Sequence, residues 1–308
     1  MWILFAVLTV LLWGTSETIF KKVSNTDKDS VLKLIAYNGT VLGIAGLIYM
    51  FFTKTEITFD VLLTYLPNAL IFITSMFCTY KAMKFTKISI ISPLQNSSCV
   101  ITTLLCILVL HQQVTVLQAI AVIAIIFGLL LISLNKDESS KEDKEEKQKM
   151  SRRVYLTGIG FALAYWLLDG IGSFRDDYVL GDALTADQVF VSYGIIYMSI
   201  GIICFIALQI KNYIARAKQI ETADAPIEKK KFYFDKYKLI GSLVETTGQF
   251  TYTYAYFYGE GALVSPFIAS YCIVTMIFSR IFLKEKLTKY QYLLIAIILT
   301  SLVILSWE

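Results

Sequence analysis

Ten stretches of roughly 20 residues carry almost no charge, and that is the length a helix needs to cross a hydrocarbon core about 30 Å thick. They run over residues 2–20, 31–52, 61–82, 88–110 and 114–134 in the first half. The second half supplies 154–174, 186–209, 239–258, 262–283 and 290–307. Of the chain's residues 56% are apolar or aromatic and 17% charged, with a mean hydropathy of +0.62. Soluble domains carry about 45–50% apolar and about 25% charged residues. A disordered chain, a secreted disulfide scaffold and a nucleic-acid binder are excluded at this step. The expected fold is an all-α membrane protein of ten transmembrane helices.

Charge then sets the topology. The chain has 28 Lys and Arg, and all but Lys54 and Arg175 fall on the side of connections 1–2, 3–4, 5–6, 7–8 and 9–10. The positive-inside rule makes that face cytoplasmic and, with ten crossings, puts both termini outside. A multi-pass protein of the cell membrane is the expectation. Two connections are long. Residues 135–153 form a mixed-charge tether between the halves, and 210–238 form a second cytoplasmic loop. Its Lys229–Lys231 run, and Lys236 and Lys238, are placed to rest on anionic headgroups. Both are read as solvated linkers, in part helical extensions.

The five cysteines lie scattered in apolar blocks without C-x-x-C spacing, and His111 is the sole histidine. Neither a zinc site nor an H-E-x-x-H helix can be built from these, and no cofactor is expected. An enzyme is the weakest of the functional readings.

The halves resemble each other. At an offset of 173 residues, 77–134 aligns without a gap on 250–307, with Phe77/Phe250, Ser92-Pro93/Ser265-Pro266, Cys99/Cys272, Thr115/Thr288 and Gln118/Gln291 identical. At an offset of 156, Phe5-Ala6, Leu11-Leu12 and Gly14 fall on Phe161-Ala162, Leu167-Leu168 and Gly170. Each half is therefore a five-helix unit: 1–134 and 154–308, joined by 135–153. An odd number of crossings inverts the second copy, the arrangement secondary transporters use to build a midplane site that can open to either side.

Trp13-Gly14 and Lys21 in the first helix, Tyr80-x-Ala82 before the fourth, Ser92-Pro93 and Ser265-Pro266, and the turn Leu283-Lys284-Glu285-Lys286-Leu287-Thr288 carry a family likeness. The chain resembles the drug/metabolite transporter superfamily, specifically its tandem EamA-type members. The first copy of the turn departs from the pattern, reading Leu110-His111-Gln112-Gln113-Val114-Thr115 without the acid. The resemblance implies transport of small metabolites, often export.

Acids inside a span are costly, about 2.5–3.5 kcal/mol each by insertion scales, so Glu17, Asp169 and Glu245 need a reason. Glu17 reads either as a partner of Lys21, four residues on, or as part of a site. Glu245, Gln249, Tyr252 and Tyr256 form one helical stripe. Trp13 and Glu17 share a face, as do Trp166, Asp169 and Ser173, and Tyr193 and Tyr197. Aromatic walls with carboxylates suit an organic cation, and an aromatic interfacial belt would also account for Tyr256, Tyr258 and Trp307. Desolvation disfavours a carboxylate's charge, so Glu245 or Asp169 would exchange a proton for substrate. The substrate-binding set is thus Trp13, Glu17, Trp166, Asp169, Tyr193, Tyr197, Glu245, Gln249, Tyr252 and Tyr256.

The expected activity is secondary active transport of a small polar or cationic metabolite by alternating access. Its partners are that substrate, the bilayer and protons as coupling ion, with no nucleic acid. An amino-acid or neutral-metabolite exporter is the near alternative, drawing on Lys81, Asn38 or Gln95. A channel-like facilitator or a membrane receptor is the alternative of another class. Pro93 and Pro266 should kink their helices by freeing the carbonyls of Ser89 and Ala262, and Gly39 and Gly43 should mark a close helix contact.

Overall fold

The computed structural model describes residues 1–24, 26, 28–86, 88–134, 152–222, 235–284 and 288–306. Within them the chain is helical: α1 (Trp2–Ser24), α2 (Ser30–Thr53), α3 (Phe59–Phe85), α4 (Ile88–Asn96), α5 (Cys99–Val109) and α6 (Val116–Leu134) form the first unit. The second comprises α7 (Arg152–Val179), α8 (Ala186–Thr222), α9 (Lys236–Tyr258), α10 (Gly261–Ala269), α11 (Tyr271–Phe282) and α12 (Lys289–Ser306). α4 with α5, and α10 with α11, are each one span broken in the middle, so twelve helices make ten spans.

The break lies beyond the proline in both copies. Pro93 and Pro266 sit inside α4 and α10, while the ladder fails at Ser97–Ser98 and at Ser270. There it changes to i→i−3 bonds, Ser98 N to Gln95 O at 3.0 Å and Ser270 N to Phe267 O at 3.2 Å. The carbonyl that Pro266 frees is taken up across the repeat boundary, where Thr103 Oγ1 donates to Ala262 O at 3.3 Å. His111 and Lys284, equivalent at the 173-residue offset, both adopt left-handed backbone, φ 53° and 58°. They turn the chain into α6 and α12. Those helices start on matching capping boxes, in which Thr115 and Gln118, and Thr288 and Gln291, exchange backbone–side-chain bonds of 2.8–3.2 Å. These boxes are why the two pairs recur.

The units interleave. α1 packs on α9, α3 on α7, α2 on α8 and α6 on α12, so the core belongs to both. α2 and α8 cross at the glycines: a methyl at Gly39 would stand 2.4 Å from Tyr197 O, and one at Gly43 2.3 Å from Met198 Cβ. Leucines, isoleucines and phenylalanines face outward in number, Phe51, Phe52, Ile123 and Ile203 among them. An apolar exterior around a core holding Glu17, Asn68 and Asp176 is the inverse of a soluble protein, and the molecule is a multi-pass membrane protein.

At the basic face Lys21 Nζ donates to Met83 O and Thr86 O, both at 2.6 Å, and Lys211 pairs with Asp29. Lys238 departs from its sequence reading. It is 2% exposed and reaches inward to Asp235 Oδ2 at 2.5 Å and Thr26 Oγ1 at 3.2 Å, away from any headgroup. α8 continues as helix to Thr222, thirteen residues past the expected end at 209. Lys229–Lys231, Trp307 and most of the 135–153 tether lie outside the described residues.

Candidate functional site

A narrow cavity lies where the two units meet. Its walls hold Trp13, Glu17, Asp169, Tyr193, Glu245 and Gln249, six of the ten residues expected from the sequence. Tyr197 lines a smaller chamber beside it that shares Tyr193, Glu245 and Gln249 and adds Asn38.

The carboxylates are held by hydroxyls. Glu17 Oε2 accepts from Ser92 Oγ and Thr275 Oγ1, each at 2.6 Å, which ties α1 to both broken spans. Its helix runs seven residues past it to Ser24, so Glu17 is 6% exposed rather than interfacial. Ser16 Oγ donates to Glu245. Ser98 Oγ donates to Asp169 Oδ2 at 2.7 Å. Asp169 lies ten residues from the end of α7, roughly 15 Å along the axis, because that helix extends to Val179 and not to 174. Among the described lining residues there is no Lys, Arg or His.

Three expected residues are placed elsewhere. Trp166 is partly exposed and its neighbour Tyr165 faces the cavity instead. Tyr252 backs the wall: it stacks on Trp13 at 4.9 Å and meets Phe72 edge-on at 6.3 Å. Tyr256 lies tilted against Tyr252, ring centroids 4.7 Å apart, and is 3% exposed, which removes it from any interfacial belt. The alternative polar pole is dispersed: Lys81 lies over the Phe77 ring at 5.5 Å, Gln95 accepts from Thr79 at 2.9 Å, and Asn38 donates to Tyr80 at 2.5 Å.

Sequence reasoning missed Phe72, Met76, Tyr80, Tyr165 and Tyr271, all on the cavity. The repeat itself could have found the first two. At the offsets above, Trp13 corresponds to Asp169, Phe72 to Glu245 and Met76 to Gln249, and all six line the cavity. At these three positions the first unit contributes apolar groups and the second polar ones. The contacts behind them repeat too. Thr275 Oγ1 reaches Gly14 O at 3.4 Å and Thr102 Oγ1 reaches Gly170 O at 3.0 Å. Ser16 against Glu245 becomes Gly172 against Phe72, where a methyl on the glycine would stand 2.9 Å from the ring.

On the face away from the basic loops, Asp177 ties the end of α7 to α10 and to the turn before α6. It accepts from Gln112 Nε2 at 2.5 Å and from Gly261 N at 2.9 Å, while Ala262 N donates to Gln112 Oε1 at 2.9 Å. The acid sits at the start of α10, where a helix terminus favours negative charge. At the start of α8 Asp187 accepts from Tyr49 at 2.8 Å and from Tyr254. Among the described residues no group of three His, Cys, Asp or Glu is arranged to hold a metal ion.

Two inverted five-span units around a shared acidic, aromatic-walled cavity define a membrane transporter of the drug/metabolite type. The chain belongs to the EamA-like transporter family, which it matches over residues 1–134 and 156–307. It is 28% identical over 134 residues to the uncharacterized protein MJ1333.1 of Methanocaldococcus jannaschii, covering 43% of this chain and 96% of that protein. That relative is thus about the length of one repeat. A solved crystal structure superposes with a TM-score of 0.67 at 10% identity, covering 98% of this chain and 95% of the other, a likeness of fold alone.

Proposed function

We propose that the protein is a secondary transporter that carries a small organic cation through the central cavity by alternating access, in exchange for protons held on Glu245 and Asp169. The observation that carries this reading is the charge of the cavity wall: Glu17, Asp169 and Glu245 with no basic residue among its described lining. Carboxylates out of water cost several kcal/mol unless paired or neutralised. A proton answers that need in one state and a substrate ammonium in the other. Trp13, Tyr165, Tyr193 and Tyr271 offer ring faces worth about 0.5–2 kcal/mol each to a cation. The excess of basic loops supports a cytoplasmic placement of the face where α1 and α3 end, with both termini outside.

The test is thermal unfolding of the purified protein against choline-like and other organic cations, amino acids, sugars and phosphorylated anions. A ligand at 100 times its Kd stabilises the fold by about 2.7 kcal/mol. Stabilisation by cations that is lost in Glu245→Gln supports the reading. Stabilisation by amino acids alone replaces it with the zwitterion exporter, whose amide pole would be Gln249 with Asn38 of the side chamber.

A further inference from the structure

Among the described residues one fully buried acid lies outside the cavity. Asp176 is seven residues beyond Asp169 on α7, roughly 10 Å farther along the axis, and is 0% exposed. Its Oδ1 accepts from Tyr65 Oη at 3.0 Å and from Asn68 Nδ2, both on α3. The other oxygen of each group, Asp176 Oδ2 and Asn68 Oδ1, is buried without a hydrogen-bond partner, and Asn68 too is 0% exposed. Two acceptors left bare on adjoining groups cost free energy that native interiors avoid.

One proton satisfies both. A carboxylic acid and a carboxamide pair through two parallel bonds, N–H to carbonyl oxygen and acid O–H to amide oxygen. The first of these is already formed between Asn68 and Asp176. We propose that Asp176 is a protonated acid that donates to Asn68 Oδ1, making the α3–α7 junction a proton site separate from the central cavity.

The surroundings agree. The groups that face this carboxyl are Tyr65 and Asn68 from α3, Tyr252 from α9, Tyr193 from α8 and, on α7 itself, Asp177. None is basic. Asp177 in turn has Glu260, ahead of α10, as a negative neighbour. The repeat supplies a control, because Asp176 and Asn68 correspond to Phe20 and Gly241. There the same crossing is apolar, with Phe20 lying where a methyl on Gly241 would stand 2.7 Å from its ring. Packing this crossing therefore does not require an acid. Parting α3 from α7 removes Asn68 and admits water, in which the carboxyl ionises, so the closed junction and the bound proton go together.

Infrared spectroscopy of the protein in lipid, with the aspartate side-chain carboxyls isotopically labelled, reads this directly and independently of any substrate. At neutral pH, in an Asp169→Asn background that removes the cavity aspartate, the labelled carboxylic-acid stretch should vanish when Asp176→Asn is added, which keeps the paired bonds as amide to amide. In Asn68→Leu the same band should move to higher frequency, since the acid loses its acceptor. That second shift decides the matter if Asp176→Asn does not fold. The proposal is overturned if Asp176→Asn removes a carboxylate band instead, or if Asn68→Leu leaves the acid band in place. It is also overturned if sodium raises the unfolding midpoint of the wild type and not of Asp176→Asn, which would make the site one for a metal cation.

Discussion

Three carboxylates face one narrow cavity, and each accepts from a hydroxyl: Glu17 from Ser92 and Thr275, Glu245 from Ser16, Asp169 from Ser98. Hydroxyls orient a carboxylate without neutralising it, which leaves the charge for a proton or a substrate. Glu245→Gln and Asp169→Asn preserve shape, so each should fold normally and lose uptake driven by a pH gradient. Full gradient-driven uptake in both variants, measured in proteoliposomes, contradicts the coupling assignment. Gly39 makes a packing claim of the same scale. Its missing Cβ is what lets Tyr197 O approach, so Gly39→Ala should cost about 1–3 kcal/mol, read from the thermal midpoint in detergent. The acids of the cavity were legible in the sequence because charge inside an apolar block stands out. Asp176 and Asp177 were not, because the apolar run ends at Phe174 while the helix continues to Val179. That last turn survives on bonds from Tyr65, Asn68, Gln112 and Gly261, which no local pattern reveals.

At the scale of elements, the spans could be read from their scarcity of charge, α9 being too polar to stand out by hydropathy, whereas helix ends and breaks were set by hydrogen bonding. Pro93 and Pro266 announced discontinuity, but the break itself falls at Ser97–Ser98 and Ser270. Trp166 and Tyr165 show the matching limit at the site: both are aromatic on neighbouring positions, and only the packing of α7 on α3 and α5 selects Tyr165 for the cavity. His111 holds left-handed backbone, a conformation that glycine adopts without cost. His111→Gly should therefore leave the unfolding midpoint unchanged or raise it, and a clear loss would show the imidazole to be needed. Asp235 caps α9 through Tyr237 N and Lys238 N at 3.0 and 3.3 Å. Burial works to raise its pKa, but the Lys238 ammonium and those amides prevail and hold it below the usual carboxylate range. A depressed acid stabilises the fold above its unfolded pKa, and that contribution is lost as pH falls through the folded value. Asp235→Ala should cost about 1 kcal/mol at neutral pH, with the difference from wild type shrinking in acid.

The whole molecule is two copies of one unit that share a core, and its asymmetry is chemical rather than topological. Trp13, Phe72 and Met76 face Asp169, Glu245 and Gln249 across equivalent positions. Fusing the copies lets each side of the cavity specialise, which two identical chains with the same side chains could not do. Both faces carry ties between the units or within them, Asp177 with Gln112 and Gly261 on one and Lys21 with the end of α3 on the other. Alternating access requires one set to part while the other holds. The central claim is that the acidic cavity carries organic cations, and its most direct measurement is uptake of a radiolabelled quaternary ammonium by proteoliposomes under an imposed pH gradient. The account predicts saturable accumulation, acceleration by unlabelled substrate on the opposite side, and loss of both in Glu245→Gln. Uptake that rises linearly without counterflow, or that Glu245→Gln leaves intact, would contradict it.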